Sequence, residues 1–155
     1  MLFPSSNKIF IVHGHDEEMK LNVARTVERL NLEAIILHEY PDRGRTVIEK
    51  LMDESADVSF AIILLSPDDV GRAKDSQEDS YRARQNVVLE LGMFIGKLGR
   101  DRVLTLLKES DNFEKPSDIA GVIYTKYDGS NGWMQTLVTE LKACGFDIDA
   151  NLLFK

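Results

Sequence analysis

Phe60-Ala61-Ile62-Ile63-Leu64-Leu65 is six apolar residues in a row, with no polar position on either face. A strand with one face in water alternates apolar and polar residues. An unbroken apolar run is the pattern of a central strand in a parallel sheet, covered by helices on both sides. The same run is far too short to cross a bilayer. Further apolar segments lie around it at crossover spacing. Lys8-Ile9-Phe10-Ile11-Val12 and Ala34-Ile35-Ile36-Leu37 precede it; Val103-Leu104-Thr105-Leu106-Leu107 and Val122-Ile123-Tyr124 follow it. Each reads as a strand.

Helical patterns fill the intervals. Val23, Ala24, Val27 and Leu30 share one face of a first helix, with Asp16 as its N-cap. Thr46-Val47-Ile48-Glu49 reads as a capping box that opens a second helix through Val47, Ile48, Leu51 and Met52. A third carries Val87, Val88, Leu91, Phe94, Ile95 and Leu98 in one stripe at 100° per residue. A last helix carries Leu137, Val138 and Leu141. Residues 66–81 are polar and crowded with charge, and read as a long mobile loop or a broken helix. Strands alternating with helices make an α/β fold, since parallel neighbours need helical crossovers of right-handed sense. The expectation is a flavodoxin-like five-stranded parallel sheet in the order 2-1-3-4-5. A single domain over residues 8–155 follows a tail at residues 1–7, with no internal repeat or linker.

The chain has 155 residues, 43% of them hydrophobic and 29% charged, which suits one globular domain with its own core. Acidic residues number 26 and basic residues 19, giving a net charge of −7. Such a surface repels phosphate backbones and has no basic cluster to offset it, which argues against nucleic acid as a partner. The start of the chain has neither the basic region nor the apolar stretch of a signal peptide, no segment suits a membrane, and the expected location is the cytoplasm. A lone cysteine, Cys144, allows no internal disulfide and no cysteine metal site, and reads as a small core residue. No His, Asp or Glu set has metal-ligand spacing, so no metal is expected.

Ligands of doubly wound sheets bind outside the carboxyl ends of the strands, where the chain order reverses. In this sequence those ends are His13-Gly14-His15-Asp16 after the first strand and Ser66-Pro67-Asp68-Asp69 after the third. The segment Asp42-Arg43-Gly44-Arg45 borders the same rim, and the third helix leaves it. Glu90 sits on the flank of that helix's apolar stripe, with Asn86 one turn earlier on the same edge. A carboxylate there can point into a cleft while packing anchors its helix, and should itself contribute little to packing. Considered alone, the helix would make it a solvated glutamate. Its place in the chain makes it the candidate catalytic residue.

Three stretches then resemble a known family: Ile11-Val12-His13-Gly14-His15-Asp16, Gly44-Arg45-Thr46-Val47-Ile48-Glu49, and Arg82-Ala83-Arg84-Gln85-Asn86-Val87-Val88-Leu89-Glu90-Leu91-Gly92. Together with Gly132-Trp133 and Gly145-Phe146 they resemble the bacterial TIR-like domains of antiphage systems, which occur beside or fused to cyclic-nucleotide sensors. The resemblance runs from about residue 8 to residue 147. It implies a flavodoxin-like fold and cleavage of NAD+ at the nicotinamide N-glycosidic bond by one helix glutamate, which the motif places at Glu90. NAD+ would be the substrate, with no separate cofactor. The resemblance further implies self-association that repositions residues 40–45, and a fused or partner sensor of cyclic nucleotides. Asn86 departs from the Trp or Cys that plant and animal TIR enzymes often carry near that position.

The residues suit that chemistry. Asn86 would bind a ribose hydroxyl, Gly14 would let a pyrophosphate approach the backbone, and Arg43 would pair with phosphate. His13, Asp42, Gly44, Ser66 and Asp68 complete the candidate substrate-binding set. Plainer readings stand beside these. His13 and His15 are also ordinary polar residues for a strand end. Asp42-Arg43-Gly44 is also a turn in which Gly supplies a positive φ. Asp68 and Asp69 are also helix caps, Asp118 a loop residue and Trp133 a packing residue. Two alternatives to an NADase remain open: a nucleoside deoxyribosyltransferase-like enzyme, which uses a glutamate on a similar fold, and a non-catalytic TIR interaction module. A phosphoacceptor receiver fits poorly, because His13-Gly14 and Ser66-Pro67 stand where its acidic residues belong.

Overall fold

The computed structural model describes residue 4, residues 6–116 and residues 122–154. Among these described residues, seven strands and four α-helices are formed: β1 (Lys8–Val12), α1 (Glu17–Arg29), β2 (Glu33–Ile35), α2 (Val47–Glu54), β3 (Phe60–Leu65), β4 (Asp69–Gly71), β5 (Ser80–Arg82), α3 (Gln85–Leu98), β6 (Val103–Leu107), β7 (Tyr124–Lys126) and α4 (Gly132–Ala143). Five of the strands build one parallel sheet in the order β2-β1-β3-β6-β7. Numbered within the sheet, this is the expected 2-1-3-4-5 order.

β3 lies at the centre, and all six of its residues are buried. Its alternate side chains serve two cores, one on each face of the sheet. Phe60, Ile62 and Leu64 pack with Ile9, Ile11, Leu104 and Leu106 beneath α1 and α4. Ala61, Ile63 and Leu65 pack with Phe10, Val12 and Leu107 beneath α2 and α3. On α3, Val87, Leu91 and Phe94 are buried, while Val88, Ile95 and Leu98 pack at the margin, so the stripe lies where its periodicity puts it. Trp133 is 1% exposed in the first core against Tyr127, which makes it a packing residue. Cys144 is buried in the same core.

The anticipated caps form. Asp16 accepts from the Met19 N–H at the start of α1, and Thr46 accepts from the Glu49 N–H at the start of α2. Two strand boundaries move. β2 stops at Ile35, because the N–H groups of Glu39 and Tyr40 bond back to Ile36 and Leu37 and turn the chain off the sheet. β7 begins at Tyr124, opposite Thr105, two residues later than the apolar pattern suggests. An edge strand tolerates Thr125 and Lys126, so apolar content misplaces it.

The larger correction concerns residues 66–81. They contain β4 and the start of β5, paired antiparallel as a hairpin with Val70 opposite Tyr81. Asn112 and Glu114 extend the ladder, the Tyr81 N–H donating to Asn112 and the Glu114 N–H donating to Tyr81. Backbone pairing holds this segment, not an apolar face. That explains why its charged composition reads as loop. Asp118 lies outside the described residues.

Candidate functional site

β1 delivers His13 and Gly14 to the carboxyl rim of the sheet. Gly14 is buried, and a Cβ there would lie 1.8 Å from Asp68 Oδ2. Asp68 fills that space because it accepts the His15 N–H (3.1 Å) and the Ser66 hydroxyl (2.9 Å). The loops after β1 and β3 are thus latched through the missing side chain of Gly14. Gly14→Ala should expel Asp68, break both bonds and destabilise the fold by about 2–3 kcal/mol. Thermal denaturation checks this, and an unchanged midpoint would contradict it.

Beside this latch runs a chain of imidazoles. His13 Nδ1 lies 2.9 Å from the Gly14 carbonyl, His13 Nε2 lies 3.1 Å from His38 Nδ1, and His38 Nε2 lies 3.3 Å from Lys20 Nζ. A carbonyl only accepts and an ammonium only donates, so the polarity of the neutral chain is fixed. Lys20 donates to His38, His38 donates to His13, and His13 donates to Gly14. A proton added to either ring sets two N–H groups against each other. Burial pushes the His13 pKa below its ordinary 6.5; the Gly14 bond opposes this, and Lys20 and His38 reinforce it. The unfolded chain therefore takes up this proton first, and His13's contribution, complete above pH 6.5, is lost as the pH falls. His13→Phe should flatten the acid side of the stability profile. An identical slope would contradict the arrangement.

After β2, a turn at Leu37–Glu39 presents His38, and residues 40–45 lead into α2. This loop is clamped rather than free. Arg45 donates to Asp53 and Glu54 (both 3.1 Å) and to the carbonyls of Pro41 (2.8 Å) and Asp42 (3.0 Å). Lys50 Nζ holds the Asp42 carboxylate at 2.9 Å. Arg43 and Gly44 turn the chain with φ of 52° and 72°, both in the left-handed region. Gly44 therefore has the positive φ that a turn reading requires.

The elements meet at a cavity of about 310 Å³. Its apolar floor is Phe10, Ile11 and Val12 of β1, with Leu37 and Val47 at the sides. Its polar groups are His13, His38, Asp42, Lys50, Arg84, Asn86 and Glu90. Four of the candidates from sequence, His13, Asp42, Asn86 and Glu90, are thus brought together. Gly14, Ser66 and Asp68 form the adjacent latch, and Arg43 and Gly44 stand exposed on the loop. Sequence reasoning missed three lining residues. His38 follows the second strand on the same rim, and that position was the available signal. Lys50 reads as an ordinary helix lysine, and Arg84 as part of a charge run.

Glu90 is half-buried, and its carboxylate makes no hydrogen bond or ion pair among the described residues. Burial raises its pKa from 4.5 to about 7, partly opposed by the positive field of Arg84. An unpaired carboxylate facing a cavity is expensive for a fold and is the state a catalytic carboxylate needs. A larger cavity of about 650 Å³ lies where β6 begins, beside Arg100, Asp101 and Glu140. That cavity lies away from the carboxyl rim of the sheet. Size therefore does not decide between them. The chemistry favours the Glu90 cavity.

The family profile described as "CAP12/Pycsar effector protein, TIR domain" matches residues 8–129, which include every lining residue of this cavity. The chain is 54% identical over 146 residues to Escherichia coli (strain K12) "Uncharacterized protein YuaY", covering 94% of this chain and 48% of that protein. It is 37% identical over 128 residues to Dictyostelium discoideum "Protein tirC", covering 77% and 64%. It is 34% identical over 80 residues to Pseudomonas aeruginosa "Pycsar effector protein PaPycTIR", covering 52% and 25%. The chain therefore spans between a quarter and two thirds of the length of these relatives. No helix among the described residues is long and apolar enough to cross a membrane.

Proposed function

The chain belongs to the TIR-domain family of the CAP12 and Pycsar effector proteins, and on that premise we propose that it cleaves the nicotinamide N-glycosidic bond of NAD+, with Glu90 as catalytic carboxylate. The observation that carries this reading is the unpaired Glu90 carboxylate, poised near pH 7 in a cavity at the carboxyl rim.

The reaction asks little of a protein beyond such a group. When the bond from ribose C1′ to nitrogen breaks, its electron pair passes to the nicotinamide ring and cancels the ring's positive charge. A neutral, stable leaving group needs no general acid, unlike the alkoxide that obliges ordinary glycosidases to use two carboxylates. C1′ becomes oxocarbenium-like. Glu90 stabilises that charge or bonds to it, and water then adds at C1′ with loss of a proton, giving ADP-ribose. With a pKa of about 7, Glu90 is substantially ionised at neutral pH. The cationic substrate favours the ionised form further. Asn86, exposed on the same helix edge, would take a ribose hydroxyl. NAD+ is the substrate, and no separate cofactor enters the scheme.

In this reading the chain is a cytoplasmic effector of antiphage defence that self-associates. The sensor of a cyclic nucleotide would lie in a fused segment or a partner, consistent with relatives that extend well beyond the length matched. Val47, Ile48 and Met52 of α2 are 70%, 54% and 50% exposed. They favour an interaction face beside the cavity mouth, and would serve equally a TIR module that only assembles. The test is incubation of concentrated protein with NAD+ and chromatography of the products. Release of nicotinamide is expected. Its absence under every assembling condition would leave the interaction module as the better reading.

A further inference from the structure

Two cations face the Glu90 cavity, and the cleavage step uses neither. Lys50 is a buried lysine whose side chain is 8% exposed, yet its counter-ion Asp42 is 79% exposed on the loop. The Arg84 side chain makes no ion pair or hydrogen bond among the described residues. The lining sets two cations, Lys50 and Arg84, beside two carboxylates, Asp42 and Glu90, within a chain of net −7. Two cations at one small opening of an acidic protein give an incoming anion two partners there.

We propose that Arg84 and Lys50 bind the phosphate groups of the substrate, that Asp42 is the resident counter-ion a phosphate displaces from Lys50, and that the site thereby selects nucleotides over nucleosides. The proposal rests on the cleavage reading for the identity of the substrate, but its binding half stands apart from it. A guanidinium presents a planar donor fork that matches two phosphate oxygens, and an uncommitted one pays nothing to engage them. Lys50 is different. Its stem is fixed by burial and its ammonium cannot follow a ligand outward, so an incoming anion must come to it. Stripping Asp42 from a buried ammonium would leave an uncompensated charge, which is strongly unfavourable. Exchanging one oxyanion for another keeps the charge paired throughout, and Asp42 returns to water from a position that is already solvated. The site then has two poles. Glu90 receives the cationic ribose–nicotinamide end, and Arg84 with Lys50 receives the anionic end.

The experiment compares three substrates with the same scissile bond: NAD+, nicotinamide mononucleotide and nicotinamide riboside, which has no phosphate. Wild type should prefer the two phosphorylated substrates in kcat/KM by about a hundredfold. Arg84→Gln, at an open helix start where folding is not at risk, should shrink that preference about tenfold or more, mainly through KM. Lys50→Gln should act the same way, and Asp42→Asn should lower KM for NAD+. An unchanged ratio in Arg84→Gln would overturn the proposal, whatever the absolute rates. ADP-ribose binding to the Glu90→Gln protein, measured by calorimetry against adenosine, separates this from the cleavage reading. Arg84-dependent binding of ADP-ribose without NAD+ cleavage by wild type would uphold the phosphate site and sink the NADase. Cleavage without Arg84-dependent binding would do the reverse.

Discussion

Glu90→Gln should lower nicotinamide release from NAD+ by a factor of about 10² or more, because a neutral amide cannot stabilise charge developing at the ribose. Stability should move the other way. The folded pKa of about 7 lies above the ordinary 4.5, so the folded state holds this proton more tightly than the unfolded chain does. The contribution is fully present below pH 4.5 and is lost as the pH rises through about 7. At pH 8 the wild type therefore bears a poorly solvated carboxylate, at a cost on the order of 2 kcal/mol that glutamine does not carry. The variant should melt no lower than wild type at pH 8, and the gap should narrow toward pH 5. Near-normal turnover in a folded Glu90→Gln protein would end the assignment. A large drop in melting temperature would show the residue to be structural.

Turnover per molecule should rise about tenfold or more between dilute and concentrated or crowded protein, a typical size for coupling between sites. The isolated domain shows why it should idle. Residues 40–45 are held on α2 by Arg45 through Asp53, Glu54 and two backbone carbonyls, with Asp42 on Lys50. From composition alone, with Pro41 and Gly44 and little apolar content, this loop reads as free to take two shapes. The contacts make it a latch, which under the proposed self-association a neighbouring copy would have to release. Arg45→Ala should then raise the activity of the dilute protein toward that of the assembled form. Specific activity that is flat over about a hundredfold dilution, with the protein monomeric throughout, would contradict this coupling.

Burial written as composition was easy to read. Phe60–Leu65 has no polar residue and lies at the centre of the sheet, and the α3 stripe faces the core its periodicity assigns. Features made by the backbone or by distant partners were not. The β4–β5 hairpin is held by backbone ladder bonds between short strands of mixed residues, which carry no periodic signature. Lys50 sits in a helix pattern where lysine is normally solvated, and only the approach of the loop after β2 buries it over Asp42. Asp68 reads as a ligand-facing rim residue, yet it fills the space left by the missing Cβ of Gly14. Glu90 was legible because topology, as well as residue type, placed its helix at the rim.

The pH dependence of NAD+ cleavage by the assembled protein tests the central claim most directly. In the proposed reaction the Glu90 carboxylate acts in its ionised form, and burial raises its pKa to about 7. Activity, measured as initial nicotinamide release at subsaturating NAD+, should therefore rise with pH along a single limb centred near that value. A profile already at its plateau where an ordinary glutamate is ionised, near pH 5, would contradict the account.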